Sequence, residues 1–235
     1  MAVDPQSIEE LVAANRILAD QGVLDGYGHV SVRQAGDAQR YLLARSRAPE
    51  LVTTDDVLEF DLDSNPLEGG REQRLYLERF IHGEIYRARP DVGAVVHHHS
   101  PSVIPFAAST ISLRALYHMS AFLGEGVPVF EIRQAGGMTD MLVRTPELAR
   151  ALARVVGTHG AALMRGHGAV VTGTSLPHAV GRAIYMELNA RLQAQAIALG
   201  GDVTYLAGEE ARQAEATIGS FERAWELWKR RVAAR

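Results

Sequence analysis

Three histidines in succession, His97, His98 and His99, follow the apolar stretch VGAVV and run into Ser100 and Pro101. In an extended strand successive side chains point to opposite faces, so His97 and His99 share one face and His98 takes the other. Imidazoles at i and i+2 lie about 7 Å apart along the chain, and both can reach one ion held between them. Neutral imidazole suits zinc, manganese, iron and cobalt, and an open catalytic site takes three protein ligands. His98 reads as a structural or solvated residue. The pair needs a third ligand, and the best candidate is His167, set between Gly166 and Gly168 in MRGHGAVV. The glycines let the backbone turn sharply and leave the imidazole uncrowded. A turn histidine facing solvent is the competing reading, and spacing alone does not choose. A carboxylate is wanted beside a catalytic ion, as a fourth ligand or a proton carrier. Glu78 lies just upstream, near the apolar Leu75 and Ile81; the competing reading is a surface pairing with Arg74, four residues earlier. His82 and His178 fall in helical patterns and read as surface or packing residues.

The scaffold for these residues is an alternation of strands and helices. Asp4 can cap a first helix that has Pro5 in its first turn, and Ser7 with Glu10 resembles a capping box. Ile8, Leu11, Val12 and Leu18 recur at helical spacing, with Gly22 as the stop. GYGHVSVR is a glycine-rich loop entering a strand; YLLA and Val57–Phe60 are further strands. Helical periodicity returns over 72–88 and ends at Arg89-Pro90, and GAVVHHH is a strand. Residues 103–135 hold a short helix and a strand. TPELARALARVVG is a helix capped by Thr145, and AALMRGHGAVVTG is two short strands around a tight turn. A long helix runs from about Pro177 to Leu199. The tail from about 207 is amphipathic, with Ile218, Phe221, Trp225 and Trp228 at helical intervals, and its aromatic character suits burial against something, a neighbouring subunit being one choice. No linker or repeat interrupts the pattern, which predicts a single α/β layered domain over 1–235.

The bulk composition narrows the chemistry further. The 235 residues contain no cysteine, which removes disulfides, thiolate catalysis and cysteine-based zinc sites. The net charge of −4 offers no basic field for nucleic acid or an anionic membrane. No apolar run approaches the roughly 18 residues that span a bilayer. The N-terminus lacks a basic patch followed by an apolar block, so a cytoplasmic protein is expected. GYG is not a dinucleotide fingerprint, because neither a third glycine nor a helix follows it.

Taken in order, GHVS (28–31), ERFIHGEIY (78–86), RPDVGAVVHHHSP (89–101) and GHG (166–168) resemble the class II aldolase/adducin family. There the pattern is a Gly-Asn-x-Ser turn, a Glu-x3-His-x3-Tyr helix, Arg-Pro-Asp before a His-x-His strand, and an Asn-His-Gly turn. The matches cover about residues 7–200. The resemblance implies a three-layer α/β/α sandwich around a mixed, largely antiparallel sheet. It implies one divalent ion per subunit on His97, His99 and His167, with Glu78 as the catalytic acid or base. It also implies a homotetramer whose active sites lie at subunit interfaces.

The departures from the sugar-phosphate aldolases of the family bear on the substrate. Their Ser-Ser pair before the glutamate is Tyr76 and Leu77 here, the early phosphate turn reads LARSRAPEL, and His29 replaces the usual Asn. His118, in LYHMS, stands about where the aldolases place a tyrosine from the neighbouring subunit. The stretches LYLERFIHGEIYRARPDV and FLGEGVPVFEIR are similar to the decarboxylase branch, whose members act on hydroxylated aromatic dicarboxylates. The resemblance thus implies a metal-dependent, non-oxidative decarboxylase of a dihydroxyphthalate-like or hydroxypyridine-dicarboxylate-like ring, with the ion drawing electrons through a phenolic oxygen. Glu78 is the first candidate proton donor and His118 the second. His29, Ser31, Arg45, Ser46, Arg47 and Tyr117 are the candidate substrate contacts, since guanidinium forks suit carboxylates. The alternatives are an aldolase acting on an unphosphorylated substrate and a non-catalytic, adducin-like interaction domain.

Overall fold

Strands β1 (His29–Arg33), β2 (Arg40–Ala44), β3 (Val57–Asp61), β4 (Ala94–His98), β5 (Val129–Phe130), β6 (Ala161–Met164) and β7 (Gly168–Gly173) form one sheet. Their order is β3-β2-β1-β4-β7-β6-β5. Every pairing is antiparallel except β5 with β6, giving the mixed, largely antiparallel sheet expected. The computed structural model describes residues 3–67, 70 and 72–234. Among the described residues no helix is long and apolar enough to cross a membrane.

The helices are α1 (Pro5–Asp20), α2 (Phe80–Ala88), α3 (Ile104–Ala107), α4 (Ile132–Gly136), α5 (Pro146–Val156), α6 (Leu176–Ala198), α7 (Gly208–Ile218) and α8 (Glu222–Ala233). Two apolar layers flank the sheet. Ala94 and Val96 of β4 pack with Leu11 and Leu18 of α1, Val180 of α6 and Trp225 of α8. Val95 packs on the other side with Ile81 and Ile85 of α2 and Leu152 of α5. The alternation that sends Val95 toward α2 sends His97 the same way, and His98 goes to the α1 and α6 face.

Three expectations need correction. Asp4, not Ser7, caps α1: its carboxylate accepts from the backbone N–H of Gln6 and Ser7, and Ser7 lies inside the helix. The second helix begins at Phe80 rather than 72. Upstream of it the Arg74 carbonyl accepts from Ser46 N–H at 2.7 Å, and Arg79 spends its guanidinium on the Ser64 and Tyr76 carbonyls, so residues 72–79 run as turns and irregular chain and Glu78 sits in the turn before α2. The tail is two helices broken at Phe221, which takes a left-handed φ of 63°. Trp225 and Trp228 are buried in their own chain's core beside α1 and α6, not left for a neighbour.

Candidate active site

Register brings the histidines together. β1 pairs His29 with His97, and β4 pairs His97 with Val170 and His98 with Ala169. The β6–β7 turn returns His167 over the end of β4. Gly168 is required there, since a Cβ would lie 2.0 Å from the His98 carbonyl oxygen. Gly166 supplies the positive φ of the turn, 63°.

Glu78, His97, His99 and His167 each bring one ligand atom, and these atoms all lie within 4.8 Å of one another. His99 Nε2 is 3.0 Å from the Nε2 of both His97 and His167. Glu78 Oε2 is 3.5 Å from His97 Nε2 and 3.4 Å from His167 Nε2. His97 Nδ1 faces the Ala169 carbonyl at 3.1 Å, and His167 Nδ1 faces the Met141 carbonyl at 3.0 Å. A carbonyl only accepts, so both Nδ1 atoms carry hydrogen and both Nε2 atoms present lone pairs. The Nε2 lone pairs of His97 and His167 converge on His99 Nε2, 3.0 Å from each, and a cation between the nitrogens would satisfy all three. Ligands at about 2.0–2.1 Å from a tetrahedral ion are about 3.3 Å apart, close to the spacing seen. The donor set, three imidazoles and one carboxylate, fits a divalent transition ion.

The second layer is built to hold this arrangement. Met141 has a positive φ of 73°, which aims its carbonyl at His167. Two residues on, Val143 N–H donates to Glu78 Oε1 at 2.8 Å. One loop therefore orients both the third imidazole and the carboxylate. Burial alone would raise the Glu78 carboxyl, but positive charge between it and the His97 and His167 Nε2 atoms, a bound cation or, without one, a proton shared with an imidazole, outweighs burial and holds the group well below the usual carboxylate range. Burial, with neighbouring His97 and His167, brings His99 down to about 4, so the imidazole is neutral and ready to ligate at neutral pH.

From Glu78 and His99 a cavity of about 470 Å³ opens toward His29, Ser46, Arg47 and Arg74, walled by Tyr76, Leu77 and Leu142. That volume is in the range of small-molecule sites. The Tyr76 hydroxyl donates to the Arg47 carbonyl, which pins the arginine-bearing loop to the wall.

The model of the Class II Aldolase and Adducin N-terminal domain matches residues 9–194. The chain belongs to the class II aldolase and adducin family. It is 34% identical to "Decarboxylase tropJ" of Talaromyces stipitatus, over 96% of this chain and 93% of that one. It is 31% identical to the 3,4-dihydroxyphthalate decarboxylase of Arthrobacter keyseri, over 96% and 94% of the two chains. The L-fuculose 1-phosphate aldolase from Glaciozyma antarctica shares the fold, with a TM-score of 0.79 at 22% identity, covering 97% of this chain and 88% of that one. The family is divalent-metal dependent. The relatives named as decarboxylases are those of the aromatic branch that the sequence resembles.

Against this family frame the expected substrate residues separate. His29, Ser46 and Arg47 line the cavity. Ser31 does not: it is fully buried, its hydroxyl shared between His82 Nδ1 at 2.6 Å and the Tyr86 hydroxyl at 2.8 Å. Arg45 is committed elsewhere, its Nε 2.6 Å from Asp56 Oδ1. Asp56 is buried and also holds Arg47 Nη1 at 3.3 Å and Thr53 N–H at 2.9 Å. Arg47 Nε stays buried without a partner among the described residues. Tyr117 and His118 lie beyond the cavity wall of their own chain: the Tyr117 hydroxyl is buried without a partner among the described residues and His118 is exposed.

Sequence reading missed His82, Tyr86, Asp56, Arg74 and the Met141–Val143 loop. For His82 and Tyr86 the signal was present, because they are spaced by four on α2 and so share a face. Arg74, which lines the cavity, was weighed only as a surface partner of Glu78.

Proposed function

We propose that this protein is a metal-dependent, non-oxidative decarboxylase of a hydroxylated aromatic dicarboxylate. The observation that carries the reading is the single cavity running from the Glu78–His97–His99–His167 cluster to Arg47 and Arg74 between the apolar walls of Tyr76, Leu77 and Leu142. A flat ring fits between such walls. One end faces an electrophilic centre, and the other faces guanidinium groups where the sugar-phosphate aldolases keep a phosphate pocket. The names of the decarboxylase relatives support the same reaction class.

His97, His99 and His167, with Glu78 in reach, are the residues that would hold the ion, whether zinc, manganese, iron or cobalt. When bound, it supplies a sink for the electrons left behind as the carbon–carbon bond breaks. The remaining work falls to side chains. Glu78 begins as a carboxylate and takes the proton of a ring hydroxyl as substrate binds. It then delivers that proton to the ring carbon carrying the departing carboxylate, and carbon dioxide leaves as the ring regains aromaticity. Solvent returns a proton to the phenolic oxygen before product departs. Arg47, with Arg74 beside it, holds the second carboxylate.

A carbon dioxide assay on hydroxylated aromatic dicarboxylates, with and without chelator, tests the reading. Release of an aldehyde from a small hydroxy-carbonyl substrate, with no carbon dioxide from any ring acid, overturns it. Arg47→Ala will raise KM for a dicarboxylate by on the order of 10-fold to 100-fold, the worth of a charge-assisted hydrogen bond, and leave KM for the matching monocarboxylate nearly unchanged. Equal effects on the two substrates remove carboxylate recognition from Arg47.

The proposal extends to the assembly. Tyr117 and the exposed His118 lie away from their own chain's cavity, which suits residues that complete the site of a neighbour in a homotetramer. Light scattering will give the mass of four chains; a monomer at working concentration removes this part.

A further inference from the structure

Beneath the cavity four buried side chains form one hydrogen-bonded line that runs from Tyr86 through Ser31 and His82 to His29. The Tyr86 hydroxyl is 2.8 Å from Ser31 Oγ, Ser31 Oγ is 2.6 Å from His82 Nδ1, and His82 Nε2 is 2.6 Å from His29 Nδ1. Ser31 and His82 are fully buried, and Tyr86 and His29 nearly so. The direction of the line follows from counting hydrogens. Tyr86 has one hydroxyl hydrogen and, among the described residues, one side-chain partner, Ser31. If Ser31 donated to Tyr86, that hydrogen would be left buried with no acceptor, which biases the equilibrium by on the order of tenfold or more. Tyr86 therefore donates to Ser31, and Ser31 donates to His82 Nδ1. A His82 ring that accepts at Nδ1 carries its hydrogen on Nε2 and donates to His29 Nδ1. A His29 ring that accepts at Nδ1 carries its hydrogen on Nε2. That nitrogen is on the opposite edge of the ring, has no protein partner among the described residues, and belongs to a side chain lining the cavity beside His97.

We propose that His29 presents a fixed Nε2–H donor to a substrate oxygen next to the ion, and that Ser31 and His82 are positioning residues that hold its tautomer, with Tyr86 closing the far end of the line. Resting on the decarboxylase reading, this assigns the oxygen as the phenolic or carboxylate oxygen neighbouring the breaking bond, where a preset neutral donor stabilises charge as it develops. The opposite tautomer would offer a bare lone pair and repel that oxygen.

Neutron diffraction from zinc-loaded crystals grown in D2O reads the assignment directly. The deuteron on His29 will sit on Nε2, with a ratio over Nδ1 above about 10, and His82 will likewise be deuterated on Nε2. In Tyr86→Phe the ratio at His29 will stay above about 10, since reversal would then strand the Ser31 hydrogen instead. His82→Leu, which removes the hydrogen donated to His29 Nδ1, will lower kcat with little change in KM, and His82→Gln, which keeps a donor there, will recover part of it; equal kcat in these two variants overturns the positioning role of His82. His29→Leu will lower kcat by on the order of 100-fold with a smaller effect on KM, and His29→Asn, which keeps a donor, will recover part of it. A deuteron on His29 Nδ1 in the wild type, or wild-type kcat in His29→Leu, overturns the proposal. The neutron result does not depend on turnover. A protein that releases no carbon dioxide from any ring acid yet carries the Nε2 deuteron loses the decarboxylase reading and keeps the tautomer.

Discussion

Glu78→Gln will keep its bound divalent ion and lose carbon dioxide release by on the order of 10³-fold, in the range that a positioned acid or base contributes. The substitution is chosen because it isolates proton transfer. Glutamine is isosteric, and its amide oxygen can still accept from Val143 N–H, the 2.8 Å bond that orients this side chain. The three imidazoles are untouched, and His97 and His167 keep their bonds to the Ala169 and Met141 carbonyls. What is lost is a group that can take a proton and give it back. The loss will appear in kcat, because the amide still fills the same space and KM is set largely by the guanidinium end of the cavity. Metal content by elemental analysis must accompany the assay. Full turnover with a full complement of metal removes Glu78 from the chemistry. Loss of both together shifts its role to ligand.

The division between what the sequence disclosed and what it withheld follows the range of the interactions involved. Strand alternation is local, so the shared face of His97 and His99, and the opposite face of His98, were readable from neighbours alone. The turn at His167 was readable because its glycines announce a sharp reversal, and Thr145 announced the start of α5. Glu78 was marked as a candidate, but its turn was read as helix. The hydrogen bond from Ser46 to the Arg74 carbonyl, which draws the chain out of helical geometry, joins residues 28 apart and leaves no local trace. The fate of Arg45 was hidden for the same reason. Two arginines flanking a serine look alike in one dimension; Asp56 bonds both, Arg45 at 2.6 Å and Arg47 at 3.3 Å, and only Arg47 reaches the cavity wall. Ser31 was misjudged through its motif, since a serine in a Gly-x-x-Ser turn resembles a substrate contact until β1 pairs with β4 and turns it toward His82. His82 and Tyr86 stand in the Glu-x3-His-x3-Tyr pattern, but helical spacing alone treats them as surface or packing residues, and only the pairing of β1 with β4 shows what they bond.

The middle histidine gives the sharpest control on the metal centre. His99→Ala removes one of the three converging nitrogens and is expected to weaken zinc binding by on the order of 10²-fold: apparent binding energies of about 10–16 kcal/mol for four-ligand zinc sites put about 3 kcal/mol on each ligand. At limiting metal, activity will fall with occupancy. At saturating metal it will stay low, because two imidazoles and a carboxylate leave the ion free to shift relative to Glu78. His98→Ala, one residue away, should do the opposite. His98 is fully buried on the α1 and α6 side, with its Nδ1 against Ser100 and its Nε2 without a partner among the described residues, and none of its atoms joins the cluster. Its loss leaves a cavity in the core and will lower stability by about 2–4 kcal/mol, read by denaturant unfolding, while metal stoichiometry stays at wild type. The pair separates two causes that a single variant confounds. If His98→Ala sheds metal as readily as His99→Ala while still folded, strand alternation does not govern the site and the ligand assignment fails. If His99→Ala binds zinc as tightly as wild type, the cluster is not the metal centre, and the reading built on it falls while the family and the fold remain.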